Sequence, residues 1–329
     1  MKTSQFHASG IATLILVAAL SLLYGCGQPQ ERKGHYPPNT TQKADTKFVR
    51  FHDHGNGEGL LETAIATYRG KNGEKVELIS AVHVADAGYY ARLAKMFESY
   101  DSLLYEMVKA KGTKPPPPGR RKATESGGMI SMFQRMMRDT LKLEFQIEAI
   151  DYRAKNFVHA DLDAETFYEL SEERGESLIR LMFNSAIAAM GRSGTDKDKS
   201  DPNMGMKMLF ALFSKDRARL LKYLLAKELQ NMEELMAGLS KGPDGKGSVI
   251  LIERNKQLMR VLHQRLDKGE KQLGLFYGGA HLHDVEQRIF KEIGLQRTSV
   301  RWEKAWEIRK PKKATETKGP KKVNSTDKR

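Results

Sequence analysis

The sequence predicts an α/β protein: a central, mostly parallel sheet with an N-terminal β-hairpin, interrupted by a large methionine-rich helical insertion. Three observations carry this. Apolar runs at Leu60–Tyr68 and Val76–Val82 flank Arg69-Gly70-Lys71-Asn72-Gly73-Glu74, whose Asn-Gly is a hairpin signal. The second run, a stretch with helical spacing (Ala87–Tyr100) and an apolar run at Asp101–Val108 then form a β-α-β unit, expected to be right-handed and parallel. Near the other end, a buried-type strand at Leu273–Tyr277 precedes a helix expected over Val285–Ile293 and a last strand around Thr298–Ile308. In that strand, period two puts Trp302 and Trp306 on one face with Val300.

The chain divides by composition. With 329 residues and 40% hydrophobic content it can bury a full core. Residues 1–26 read as targeting sequence. Lys2 precedes an apolar run, Ile11–Leu23, that as a helix would span roughly 20 Å. A bilayer core is roughly 30 Å thick, so the run reads as a signal peptide and not a span. It ends in Leu23-Tyr24-Gly25-Cys26, and Cys26 is the one cysteine of the sequence, which excludes an internal disulfide. Residues 27–47 are polar, contain prolines and read as a flexible tether. The α/β core is expected in 48–108 and 248–308, with the helical insertion at 109–247 and a disordered basic tail at 309–329.

Within the insertion the apolar spacing predicts helices around Met129–Leu143, Leu178–Met190 and Met204–Leu239, whose methionines suit either a core or an adaptable apolar groove. Val158-His159-Ala160-Asp161 reads as a short extended break before a helix, with Asp161 or Asp163 as its cap. Val249–Leu266 reads as one helix containing Glu253-Arg254-Asn255.

Two histidines stand in matching contexts. Ser80-Ala81-Val82-His83 and Gly278-Gly279-Ala280-His281 each end a strand-like run, and Asp86 and Asp284 each follow three residues later as the expected caps of the next helices. Both pairs are 198 residues apart. Small residues at a strand's C-terminal end leave room beside an imidazole, and ligands of open α/β sheets collect at that edge. Glu106, in the strand after His83, is expected at the same edge on a neighbouring strand. A carboxylate there needs a cationic, metal or hydrogen-bonding partner. His283 is a lesser candidate, and His52-Asp53-His54 reads as exposed strand or turn.

These residues together resemble the TraB/PrgY/GumN family, which includes the Tiki proteases and is distantly similar to erythromycin esterases and the ChaN haem-binding lipoproteins. The likeness covers about residues 60–308 and rests on four motifs in order: small-x-x-His, a Glu ending the next strand, Glu-Arg-Asn opening a helix, and Gly-x-x-His. Ser80 stands where glycine is usual in the first. The resemblance implies a site of His83, Glu106, Arg254 and His281, and metal-dependent peptide hydrolysis. In that reading His83, Glu106 and His281 would hold a divalent ion, Mn, Co or Zn, with an open position for water. Arg254 would stabilise an oxyanion. A metal-free version would use one His as general base. The alternative is a ligand-binding protein whose pocket takes haem, a peptide pheromone or a lipid, or a structural envelope protein.

Leu23-Tyr24-Gly25-Cys26 likewise resembles a bacterial lipobox, which implies diacylation of Cys26 and a membrane-anchored lipoprotein of the cell envelope. Net charge is +14; residues 309–329 hold nine Lys or Arg against two acidic residues and so carry +7 of it. With no aromatic interleaving and an export signal in front, the tail is expected to meet anionic lipid or envelope polymer and not nucleic acid.

Overall fold

A twelve-residue strand, β2 (Glu58–Arg69), organises the computed structural model, which describes residues 42–119, 136–176, 204–238 and 248–310. One edge of β2 pairs antiparallel along its length with β9 (Gln296–Ile308). The other edge is shared: β1 (Val49–Gly55) pairs with its first half and β3 (Lys75–Ala81) with its second. Beyond β3 the sheet is parallel, in the order β3, β8 (Gln272–Gly278), β5 (Ser102–Tyr105) and β7 (Phe157–His159). The sheet is therefore mixed with a mostly parallel half, and the hairpin at Gly70–Glu74 turns through Gly73 at φ +86°, which glycine adopts freely. β4 (Val84–Ala85) pairs with β6 (Glu144–Phe145) in a separate two-stranded sheet.

Helices cover both faces. α1 (Ala87–Phe97) buries Tyr89, Tyr90, Leu93 and Phe97 on one, with part of α4 (Arg217–Gly238) packed in the same core. α5 (Arg254–Asp267) and α6 (Gly279–Arg288) bury Leu258, Leu262, Leu282 and Val285 on the other. Two further helices are α2 (Ala164–Glu173) and α3 (Met204–Phe213), beside the single turns Met136–Thr140 and Gln146–Ala149. Because both faces are covered, β8 is apolar on both sides, and its Gly274 is needed for space. A Cβ there would stand 2.6 Å from Leu103 Cδ1 and 2.9 Å from the Tyr100 ring.

Several expectations are corrected. β3 and β5 are not neighbours, since β8 lies between them and bonds both. The extended break near His159 proves to be the edge strand of the main sheet, and of the two expected caps it is Asp163 that serves α2, accepting from Thr166 N. Asp86 occupies the N-cap position of α1 but caps nothing with its side chain; its carboxylate takes Lys222 Nζ and Glu307 N instead. Asp284 does not open a helix, because α6 begins at Gly279 and runs on through a π-helical turn, Ile289–Ile293. Trp302 and Trp306 do not share a face. A register shift between Leu61 and Glu62 sets Trp306 opposite Leu61 but Lys304 opposite Glu62, so Ala305 is the extra residue of a bulge. Trp306 then enters the α1 side of the core and Trp302 packs against the α5–α6 side. The expected signal peptide, Cys26, the expected tether before residue 42, the residues beyond 310 and the apolar stretches at 129–135 and 178–190 lie outside the described residues.

One buried carboxylate shows how the sheet tolerates charge. Glu77 in β3 accepts from Thr67 Oγ1 at 2.8 Å, Tyr100 OH at 2.6 Å and Arg301 Nη1 at 2.6 Å. Burial, the largest influence, acts to raise its pKa, but these hydrogen bonds outweigh it and push the carboxyl down to about 2. A depressed carboxylate adds stability above its unfolded value, and that stability is lost as pH falls toward the folded one. Urea denaturation of wild type should weaken between pH 4.5 and about 2 by more than that of Glu77→Gln. Equal weakening would remove Glu77 from the acid response. In the core, Gly274→Val should lower stability by about 1–3 kcal/mol through overpacking, read as a shift in the urea midpoint.

Candidate functional site

Four parallel strands end at one edge, and each delivers a polar residue just beyond its last paired position. β3 leads to His83, β5 to Glu106, β7 to Asp161 and β8 to His281. A fifth element faces them: Ser248 caps the turn Val249–Glu253 by accepting from Ile250 N, and α5 then begins at Arg254. The structure brings Glu106, Arg254, Asp161 and His281 together, all largely buried. His83 is exposed at the rim, its backbone carbonyl taking Gln146 N, and it adds a weaker electrostatic pull on Glu106.

Arg254 is the centre of the cluster. Nε and Nη2 donate to the two oxygens of Asp161 at 2.8 and 2.6 Å, a bidentate fork, and Nη2 also donates to Glu106 Oε1 at 2.7 Å. Nη1 has only long contacts, 3.4 Å each to Ile250 O and His281 Nε2. Burial acts to lower the guanidinium's pKa, yet Asp161 and Glu106 hold it higher than usual, so it stays charged. For Glu106, burial is again the largest single influence and acts upward. His281 when its ring is protonated, together with the Arg254 charge, outweighs it and keeps the carboxyl well below its ordinary range. Its Oε2 accepts from Gly278 N at 2.7 Å, at the positive N-terminal end of α6. A glycine suits that position because a Cβ would lie 3.3 Å from Oε2.

The imidazole of His281 is oriented by Asn255. The Asn255 amide nitrogen donates to two groups that only accept, His281 O at 3.2 Å and Asp284 Oδ2 at 3.0 Å. Asn255 Oδ1, 2.8 Å from His281 Nδ1, is therefore the acceptor, and Nδ1 carries the proton. The lone pair of the neutral ring is left on Nε2, which faces Glu106 Oε1 at 3.5 Å and Arg254 Nη1 at 3.4 Å. Tyr277 supports the ring edge-on at 5.6 Å and is itself fixed by donating to Ala160 O. His283, two residues along α6, turns about 200° away from His281.

Sequence reasoning named Glu106, Arg254 and His281 but gave Asp161 only a capping role and Asn255 none. Asn255 was visible beside Arg254 in the Glu-Arg-Asn string. Asp161 had one signal, a carboxylate directly after a strand-like Val-His-Ala. Glu253, by contrast, pairs with Arg174 and Lys256 outside the cluster. Ser80 is a buried residue within β3 and so does not shape the turn at His83.

As arranged, these groups do not fit an open three-ligand metal site. Among the described residues no three His, Cys, Asp or Glu side chains are grouped to hold a metal ion. Both oxygens of Glu106 are engaged, and the Arg254 guanidinium stands where an ion between Glu106 and His281 would compete with it. Among those residues, too, no helix is long and apolar enough to cross a membrane. Fold and site define an α/β protein with a His–Asn pair and a clamped arginine at the C-terminal edge of its parallel strands. Compared with protein-family models, curated proteins and solved structures, the chain matches none.

Removing Asp161 would leave the Arg254 charge buried with one carboxylate. Asp161→Ala should cost about 3–5 kcal/mol, measured by urea denaturation. A loss of less than about 1 kcal/mol would mean the clamp adds no more than an exposed ion pair.

Proposed function

We propose that this protein is a membrane-anchored, extracytoplasmic hydrolase that cleaves a peptide or another carbonyl-containing substrate at the His281–Arg254–Glu106 site, as the resemblance to the TraB/Tiki group implies. The observation that carries the reading is the oriented imidazole: Nδ1 tied to Asn255, Nε2 turned toward a guanidinium whose Nη1 makes only long contacts. Nε2 takes a proton from water as its oxygen attacks the carbonyl carbon. The carbonyl oxygen becomes an oxyanion, which Arg254 Nη1 stabilises by donation. His281 then returns the proton to the leaving group, and the C–N or C–O bond breaks. Glu106, 3.5 Å from Nε2, stabilises the imidazolium between these transfers. Asp161 positions Arg254 and does not touch substrate. His83, at the rim, contacts the substrate's flank.

In this proposal Cys26 carries the lipid anchor, the basic tail meets anionic lipid or envelope polymer, and the methionine-rich middle is a helical insertion beside the site. The metal-dependent form, with Mn, Co or Zn on His83, Glu106 and His281, needs Arg254 to leave Glu106. The metal-free form is favoured by the short Arg254–Glu106 bond.

The test is cleavage of a fluorogenic peptide and ester panel, with and without chelator. His281→Ala should lower kcat by about 10²–10⁴-fold and Arg254→Met by about 10²–10³-fold, with activity surviving chelation. Activity restored only by added divalent ion would overturn the metal-free form. Full activity in both His281→Ala and His83→Ala would overturn the site itself. A haemin Soret band lost in His281→Ala, without turnover, would establish a binding protein instead.

A further inference from the structure

α3 presents its apolar side outward. Met206, Leu209, Phe210 and Phe213, at the i, i+3, i+4, i+7 spacing of one stripe, are 52%, 47%, 68% and 84% exposed, and Leu212 beside them is 44% exposed. Ala211, on the opposite side, is buried in the core. This inverts the usual arrangement of a surface helix, in which the stripe faces inward. Single exposed apolar residues need no explanation, but a contiguous patch with two phenylalanines does.

The surroundings of the stripe say what it meets. Lys215 and Arg217 are exposed just beyond the helix. The junction from α3 into α4 is fastened to the β1–β2 turn, where Arg219 Nη1 donates to Asn56 O at 2.7 Å and Gly57 O at 2.6 Å. At that same turn Lys310 N, in the last described residue, donates to Glu58 Oε1 at 2.7 Å. Residues 311–329, which follow in sequence, carry most of the +7 of residues 309–329. Apolar stripe, flanking cations and the residue from which the basic tail continues in sequence are thus gathered at one corner. A ten-residue helix is about 15 Å long, too short to cross a bilayer core but suited to lying in its surface.

We propose that α3 is a membrane-surface element, seating its Met206–Leu209–Phe210–Phe213 stripe in the acyl boundary of an anionic bilayer while the surrounding Lys and Arg side chains meet the headgroups. The expected anchor at Cys26 is compatible with this. Fifteen residues separate it from Gln42, enough for roughly 50 Å of extended chain. Anchor and helix thereby give two attachment points, which fix how the site faces the membrane. The proposal stands on the geometry of α3 and holds whether or not the site hydrolyses anything.

The test uses the full acylated chain carrying Phe210→Trp, on vesicles of phosphatidylethanolamine and phosphatidylglycerol with or without bromine on the acyl chains. Subtracting wild type removes the emission of Trp302 and Trp306. The remaining emission should be blue-shifted and quenched about twofold or more by bromine, and less on phosphatidylcholine vesicles. An emission that bromine leaves unchanged overturns the proposal, whether position 210 is then in water or covered by a second copy or another segment of the chain. Equal quenching on both vesicle types overturns its electrostatic half. Phe210 is largely exposed, so the variant should keep the near-ultraviolet circular dichroism of wild type apart from the added tryptophan.

Discussion

A guanidinium taken out of water is tolerable only where carboxylates meet it, and the Arg254 clamp is the constraint on which the polar edge of this protein depends. Asp161 engages it through two parallel hydrogen bonds and Glu106 through a third. Each of the three groups would be costly to bury alone. Together they tie β7, β5 and α5 to one point, and the Glu106–Gly278 bond adds β8 and α6. The arrangement adds side-chain ties at strand ends where the backbone pairing finishes with Glu106 N to Phe276 O and Ala160 N to Tyr105 O. It also leaves one face of Arg254, at Nη1, and one nitrogen of His281 without short partners.

The two faces of the sheet make that edge possible. Parallel strands covered on both sides are mostly apolar, with the fully partnered Glu77 of β3 as an exception, so charge gathers at their ends. β8 illustrates the sequence logic: five buried residues, a glycine that admits Tyr100 and Leu103 from β5's side, then Gly278 and the first turn of α6. His281 sits in that first turn, where the helix's free amides and its dipole already favour the Glu106 carboxylate. The imidazole and the carboxylate thus share one local environment because a strand and a helix meet without an intervening loop.

The hairpin, the parallel β-α-β unit and the placing of Glu106 and His281 at one sheet edge were legible because each depends on local pattern: Asn-Gly, apolar period, a small-residue turn before His; Arg254 was named only through the family resemblance. What was not legible depends on partners distant in sequence. The matching His–x–x–Asp blocks at 83 and 281 suggested equivalent corners. Instead, His83 is exposed in a bend and Asp86 turns to Lys222, while His281 is buried within a helix whose Asp284 supports Asn255. Asp161 looked like a cap because a short polar residue before a helix usually is one. Only the arrival of Arg254 from 93 positions away gives it another role. The separation of Trp302 from Trp306 turns on one extra residue in β9, and period-two counting cannot detect a bulge.

The role of His281 as a base turns on the position of one proton. Long-range nitrogen–proton NMR of the histidine rings, with His281 assigned by its loss in His281→Ala, reads which ring nitrogen bears hydrogen once the imidazole is neutral. The prediction is a protonated Nδ1 and a bare Nε2, with Asn255→Leu releasing the ring into a tautomer mixture. A hydrogen on Nε2 in the wild-type protein, or a pattern that Asn255→Leu leaves unchanged, would contradict the assignment of His281 as an oriented base.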